Sequence, residues 1–497
     1  MLHLHLGREC RWSKGRDVSD NRKVTWVSLW MLTELGDIDK LYPRVTIGAL
    51  PDDVLLEIFD FYLVESYLDA WHTLVHVCRR WRYVVFASPH RLQLQLLCTN
   101  KRPVQNTPDV WQELPIVIRG SLGMSRPQDV NNIIAALTRH NRVCKIDIDD
   151  IPNSFFKIIR AMKLRNPFPA LTSLRLTSQV INAPVLSKSF LGRSAPQLQA
   201  LFLNGVPFPA LPKLFLSTRD LVKADLRDIP LSGYISPEAM VAGLSALTRL
   251  QTLRLEFRSP RSRADRENRL LPRMRGRIVL PALTSFDFKG DSEYLEDIIT
   301  QIDTPQLHGF YIALFNQLMF DTPRLRDFIS RTETFKAPCQ AHIWFSNGDV
   351  KVSLFRRDRT DGHHRTTLSL EILCRPPDWQ LSSLVQVCSS SFPPFTTLQR
   401  LEIYDYRRQN WQGDMENIQW LEMLRPFTAV NDLELHDSLV PLVAAALEEL
   451  AVESVTDLLP ALQNLFLQSP QSEPVNKAIG KFITARQLYG CPVAVHY

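Results

Sequence analysis

A short apolar phrase, L-x-x-L-x-L, returns along most of this 497-residue chain, and that recurrence limits the fold more than any other feature. Close copies are PALTSLRL at 169–176, PQLQALFL at 196–203, LTRLQTLRL at 247–255 and PALQNLFL at 460–467. Looser copies are VCKIDI at 143–148, LVKADL at 221–226, PALTSFDF at 281–288, PQLHGFYI at 305–312, TTLQRLEI at 397–403 and TAVNDLEL at 428–435. Where the run is dense the copies are about 23 to 33 residues apart, the spacing of stacked repeat units. Helical patterns stand between several of them, at 130–140, 237–247, 294–302 and 440–450. A unit of strand, turn, helix and next strand is one that stacks on its own copies. The series is interrupted between about 312 and 397, where 339–345 and 367–374 read as further strands. Upstream, LQLQLL at 92–97 alternates as a strand would and PIVIR at 115–119 reads as a buried one.

The stretch from Leu50 to Arg82 differs in kind. Pro51 suits a first helical turn, and Asp52 and Asp53 set negative charge against its exposed amides. Val54, Leu55, Ile58, Phe59 and Tyr62 then form a broad apolar helix face. A second helix is expected to run unbroken from Trp71 through Val85, with Trp71, Leu74, Cys78, Trp81 and Val85 on one stripe and His72, His76, Arg79 and Arg80 opposite. Two short helices this apolar cannot hide both faces against each other, so they need a partner or a host domain.

Composition excludes several classes. Hydrophobic content of 45% with 22% charged residues is ordinary for a folded soluble chain, and a net charge of +6 does not argue for nucleic acid. Eight cysteines without a C-x-x-C pair fit buried thiols in a reducing compartment, so cytosol or nucleus is expected. The most apolar early segment, 24–35, is too short and too polar to cross a membrane. There is no P-loop, G-x-G-x-x-G, G-x-S-x-G or H-E-x-x-H, and the 18 glycines do not cluster. No enzyme, cofactor or metal is expected. His72 and His76 have zinc-compatible spacing, but Cys78 falls on the other face and a third ligand is missing.

The order Leu50-Pro51, an acidic pair, Val54-Leu55-Leu56, Ile58-Phe59, then Val77-Cys78-Arg79-Arg80-Trp81 resembles the F-box. It is similar to a large F-box-like family of mushroom-forming fungi. Segments at 229–240, 321–332 and 483–495 extend the likeness nearly to the end. In that family the F-box is a three-helix hook that binds the Skp-type adaptor of a cullin-RING ubiquitin ligase. The resemblance implies adaptor contacts from Leu50, Pro51, Val54, Leu55, Ile58, Phe59, Val77, Cys78 and Trp81, with Trp81 open to a core role instead. The downstream repeats resemble a degenerate leucine-rich array, in which the Asn or Cys that usually follows the strand is mostly missing. Asn204 is one of the few candidates.

One charge run stands out. Arg261, Arg263, Arg266, Arg273 and Arg275 lie in a Pro-broken segment between two copies, which reads as a solvated insertion or as a contact for an acidic or phosphorylated partner.

The expected fold class is therefore α/β: a small all-α F-box hook followed by an irregular leucine-rich-repeat-like solenoid, or horseshoe. The expected division is a poorly ordered extension at 1–40, the F-box at 41–92, a linker and N-terminal cap at 93–140, the solenoid at 141–474 and a C-terminal cap at 475–497. The expected function is that of a substrate-recognition subunit of a Skp-cullin-F-box ubiquitin ligase, monomeric outside its complex and binding an unknown protein substrate. The alternative is a leucine-rich scaffold with no ubiquitin role, whose helices pack as a cap on their own domain.

Overall fold

The computed structural model describes residues 47–65, 70–103, 114–123, 127–161, 166–260, 276–317, 320, 322–357, 364–392, 395–407, 417–450, 457–469 and 471–497. The 1–40 extension and the arginine run at 261–275 lie outside them. The chain divides into two compact units, one ending at Leu94 and the other running from Gln95 to Tyr497.

The first unit holds α1 (Asp52–Glu65), α2 (Trp71–Val77) and α3 (Arg79–Ala87). Asp52 and Asp53 occupy the first turn of α1, where they meet its positive dipole end. The second helix expected through Val85 is broken. Cys78 is extended at φ −156° and ψ 171°, ending α2, and its Sγ accepts the Trp81 amide at 3.4 Å to cap α3. Cys78 is thus exposed and belongs to no apolar stripe. The core of the unit includes Leu55, Phe59, Trp71, Leu74, Val75, Val84 and Val85. After α3 the expected strand at 92–97 begins late. Gln93 turns with φ 47°, Leu92 and Leu94 are buried beside it, and strand geometry starts only at Leu96.

Among the described residues the second unit is a mixed α/β body on a sixteen-stranded, mostly parallel sheet, with a separate two-stranded pairing of 278–279 with 302–303. Its strands and helices follow as β1 (Leu96–Cys98), β2 (Ile116–Ser121), α4 (Pro127–Leu137), β3 (Val143–Asp149), α5 (Asn153–Ala161), β4 (Ser173–Thr177) and β5 (Ala200–Asn204). Next come α6 (Leu211–Phe215), β6 (Lys223–Ile229), α7 (Pro237–Leu244), β7 (Thr252–Phe257), β8 (Ile278–Val279), β9 (Ser285–Gly290), α8 (Ser292–Gln301), β10 (Ile302–Asp303) and β11 (Gly309–Phe315). The remainder is α9 (Pro323–Arg331), β12 (Gln340–Phe345), β13 (Val350–Arg357), β14 (His364–Leu373), α10 (Pro377–Ser391), β15 (Arg400–Asp405), α11 (Asn417–Leu424), β16 (Asp432–Leu435), α12 (Val440–Leu450), β17 (Asn464–Leu467), α13 (Glu473–Leu488) and β18 (Ala494–His496).

Every L-x-x-L-x-L copy ends in one of these strands, and nearly all neighbours in the sheet are also neighbours in the copy series. The segment expected as linker and cap supplies β1, β2 and α4 to the same sheet. A repeated backbone bond sets the register. The Gln199 amide donates to Thr172, Val222 to Gln199, Gln251 to Val222 and Thr284 to Gln251, at 2.8–2.9 Å. The same bond recurs from Asn431 to Gln399 and from Gln463 to Asn431, each at 2.8 Å. Consecutive helices from α6 to α13 touch in chain order, as the strands do. The flanking leucines of each strand, such as Leu174 and Leu176 or Leu253 and Leu255, are buried. Each fully buried leucine contributes roughly 1.5–3 kcal/mol, so the repeated pair is the main cohesive element of the unit.

The interruption in the copy series is a hairpin pair. After α9 the chain skips ahead to β12, returns antiparallel through β13 and continues antiparallel into β14, which pairs parallel with β11. Helix α10 then leads to β15, which pairs parallel with β12. The sheet therefore stays continuous through the order β11-β14-β13-β12-β15.

Candidate functional site

Helical spacing sorts the apolar residues of α1 into two adjacent stripes. Leu55, Leu56 and Phe59 turn inward and are at most 8% exposed. Pro51, Val54, Ile58 and Tyr62 lie on the neighbouring side, with Val54 39% and Ile58 41% exposed. Phe61 continues this exposed side, and Ile47 stands exposed just before the helix. A contiguous apolar strip left in solvent is a common mark of a protein-binding surface.

The sequence-level site residues are thereby divided. Pro51, Val54, Ile58, Val77 and Cys78 are accessible, and Leu50 is half-buried. Leu55 and Phe59 are core. Trp81 is half-buried and meets Phe59 edge-on, with ring centroids 4.7 Å apart, so its indole ties α3 to α1. Ile47, Phe61, Tyr62 and Tyr83 are exposed apolar or aromatic groups that sequence reasoning did not single out as contacts. The signal for Tyr62 was its place in the helical period.

Arg80, expected on a solvated face, reaches back over the start of α1. Its guanidinium donates to the Asp52 carboxylate at 2.7 and 3.0 Å and to the Leu50 carbonyl. The Arg82 Nε donates to the Val75 carbonyl at 2.9 Å, closing the corner at Cys78. Together these bonds fix the entry to α1, where Leu50 and Pro51 are displayed. His72 stacks on Trp71 at 3.8 Å and His76 is exposed. Among the described residues no group of three His, Cys, Asp or Glu is placed to hold a metal ion.

A second polar surface belongs to the sheet. The middle residue of each L-x-L triplet falls in one register row: Arg119, Asp147, Arg175, Phe202, Asp225, Arg254, Asp287 and Tyr311, then Ser369, Ser353, His342, Glu402, Glu434, Phe466 and His496. Charges in this row pair with neighbours. Arg119 and Arg175 flank Asp147 at 3.4 and 3.5 Å, and Arg254 donates to Asp287 at 2.7 Å. Arg175 lies over the Phe202 ring at 4.4 Å. Glu402 accepts from Gln340 and Tyr404 at 2.6 Å, from Arg400 at 2.7 Å, and lies 2.9 Å from His342 Nε2. Burial raises the Glu402 pKa, but the hydrogen bonds from His342 and Tyr404 and the charges of His342 and Arg400 outweigh it, and the carboxyl is pushed down to about 2.

Of the arginine-rich insertion, only its edges are described. Arg258 donates to the Ile181 carbonyl and Arg277 to the Thr300 carbonyl, each at 3.3 Å. Arg261, Arg263, Arg266, Arg273 and Arg275 lie outside the described residues.

No curated protein matches the chain. A protein-family model described as F-box-like matches residues 47–90, which span α1, α2 and α3. F-box domains typically bind Skp-type adaptors, and such a domain points in general to an adaptor-type role in ubiquitin ligation. The helical unit is thus an F-box-like domain, and the match supports reading the chain as an F-box protein.

Proposed function

We propose that this protein is the substrate-recognition subunit of a Skp-cullin-F-box ubiquitin ligase. The exposed strip of Pro51, Val54 and Ile58, inside the F-box-like match, carries the proposal. A Skp-type adaptor covers that strip and connects the chain to a cullin. The sheet unit, which we read as a leucine-rich-repeat-like solenoid, holds a target protein on its polar row. Stacked strands in chain order and a repeated inter-strand bond support that reading. The chain performs no chemistry of its own. It raises the effective concentration of the target near the conjugating machinery. Outside the complex it is monomeric, and it works in the cytoplasm, the nucleus or both.

The test is co-purification of adaptor and cullin with the full chain and with a version lacking residues 41–92. Recovery of both by the full chain alone supports the ligase role. Recovery of neither by a folded full chain leaves a scaffold with no ubiquitin role.

A further inference from the structure

The polar face of the sheet holds a cleft of about 600 Å³ where β7, β9, β11, β14 and β13 run side by side. One small side chain, Ala313, stands among the longer ones that line it. In the row next to the charge ladder, Glu256, Lys289, Ala313, Glu371 and Lys351 follow one another across the five strands. Ala313 leaves a gap between Lys289 and Glu371. Beside it, Ser353 and Ser369 are buried and bond each other at 3.0 Å, so they add no height. Tyr311 also lines the cleft, its ring edge 3.4 Å from where a Cβ on Gly309 would stand.

The charges at this cleft differ from those of the ladder. Arg254 is taken up by Asp287 and, at 3.6 Å, by Glu256. Lys289, Glu371 and Lys351 form no ion pair or hydrogen bond among the described residues, although Lys351 lies 5.7 Å from the Trp344 ring centroid. Burial, followed by the nearby Asp349 charge, raises the Glu371 pKa against the opposing pull of the Lys351 and Lys289 charges. A half-buried carboxylate with no donor is costly to keep, and a guest that supplies one recovers that cost.

We infer that this cleft receives the carboxamide of an asparagine or glutamine side chain from an exposed segment of the target protein, its NH₂ donating to Glu371 and its carbonyl accepting from Lys289 or Lys351. Charge complementarity selects this guest. An ammonium or guanidinium group meets two lysines, a carboxylate meets Glu371, and an aliphatic group leaves Glu371 without a donor. The volume of about 600 Å³ leaves room for the side chain and the backbone of the segment that carries it. This assignment rests on the reading of the sheet as the target-binding unit.

The test uses four fluorescent peptides on one alanine-rich frame, with Gln, Glu, Lys or Met at the centre, titrated into the full chain. The Gln peptide is expected to bind about tenfold more tightly than the other three, the margin typical of a buried hydrogen-bonding group left unpaired by the wrong guest. Glu371→Gln, which keeps the shape, is expected to transfer the preference to the Glu peptide, since the lysines then act unopposed. Ala313→Trp fills the gap and is expected to abolish selection. Equal binding of all four peptides, binding of none, or a Gln preference that survives both substitutions overturns the assignment. Adaptor capture in the same samples separates the outcomes. Capture retained without peptide selection rejects only the cleft, whereas loss of capture by the unmodified chain rejects the ligase role.

Discussion

Phe59 of α1 and Trp81 of α3 meet edge to face at 4.7 Å, and the indole is only half covered while the phenyl ring is wholly buried. The contact makes the two helices one rigid support for the strip displayed on the next side of α1. Display and core are one helical step apart, so substitutions on α1 separate stability from binding. Phe59→Ala is expected to destabilise the helical unit by about 3–5 kcal/mol, the usual loss for a buried aromatic. Val54→Ala and Ile58→Ala are expected to cost less than about 1 kcal/mol each, as exposed positions do. Denaturant titrations of the three variants check the contrast.

The Arg80–Asp52 pair is a weaker brace. Both side chains are substantially exposed, at 39% and 54%, so the ion pair itself contributes on the order of 0.2–1 kcal/mol. Arg80→Ala is expected to lower the stability of the helical unit by about that amount, with the loss shrinking in high salt. An effect that is large and insensitive to salt would place the main role of Arg80 in its bond to the Leu50 carbonyl.

Glu402 gives the sheet an acid-sensitive point. Its folded pKa of about 2 lies below the ordinary 4.5, so its contribution is present above pH 4.5 and is lost as pH falls through about 2. Glu402→Gln is expected to destabilise the chain by about 3–5 kcal/mol at pH 7, the scale for breaking a buried charged network. Thermal melts of the two chains are expected to converge as pH falls from 4.5 towards 2.

Glu371 has the opposite sign. Its folded pKa is raised above 4.5, chiefly by burial, so the charge works against folding above that pH. Glu371→Gln is expected to raise the melting temperature at neutral pH, with the gain fading as pH drops and both states take up the proton. A gain that is unchanged at low pH would show that charge is not its source.

Much of this architecture was legible before the structure. The repeated phrase marked the strands of the regular run because burying the same two leucines per unit leaves a trace that survives loose copies. The helix break at Cys78 was not legible. The apolar period from Trp71 to Val85 continues across it, and the Cys78 cap on the Trp81 amide, with the bonds of Arg80 and Arg82 to the Leu50 and Val75 carbonyls, reveals why the backbone turns there. Strand β13 was missed although Val350, Val352 and Leu354 alternate plainly, because it lacks the leading proline and leucine of the other copies. Periodicity placed Leu55 and Ile58 on one apolar face, and the resemblance alone made both of them contacts. Which of two adjacent stripes faces inward depends on where α3 lies, and that is a tertiary fact. The cleft was likewise hidden, since the partners of Ala313 come from strands up to 60 residues away in sequence that only the return through β13 brings alongside.

The most direct measurement is titration of the full chain with a purified Skp-type adaptor, alongside a Val54→Asp/Ile58→Asp double variant. Placing two carboxylates in an apolar contact is expected to weaken binding at least about a hundredfold while leaving the melting temperature nearly unchanged. Equal affinity of the two proteins for the adaptor would contradict the assignment of the α1 strip and, with it, the central claim.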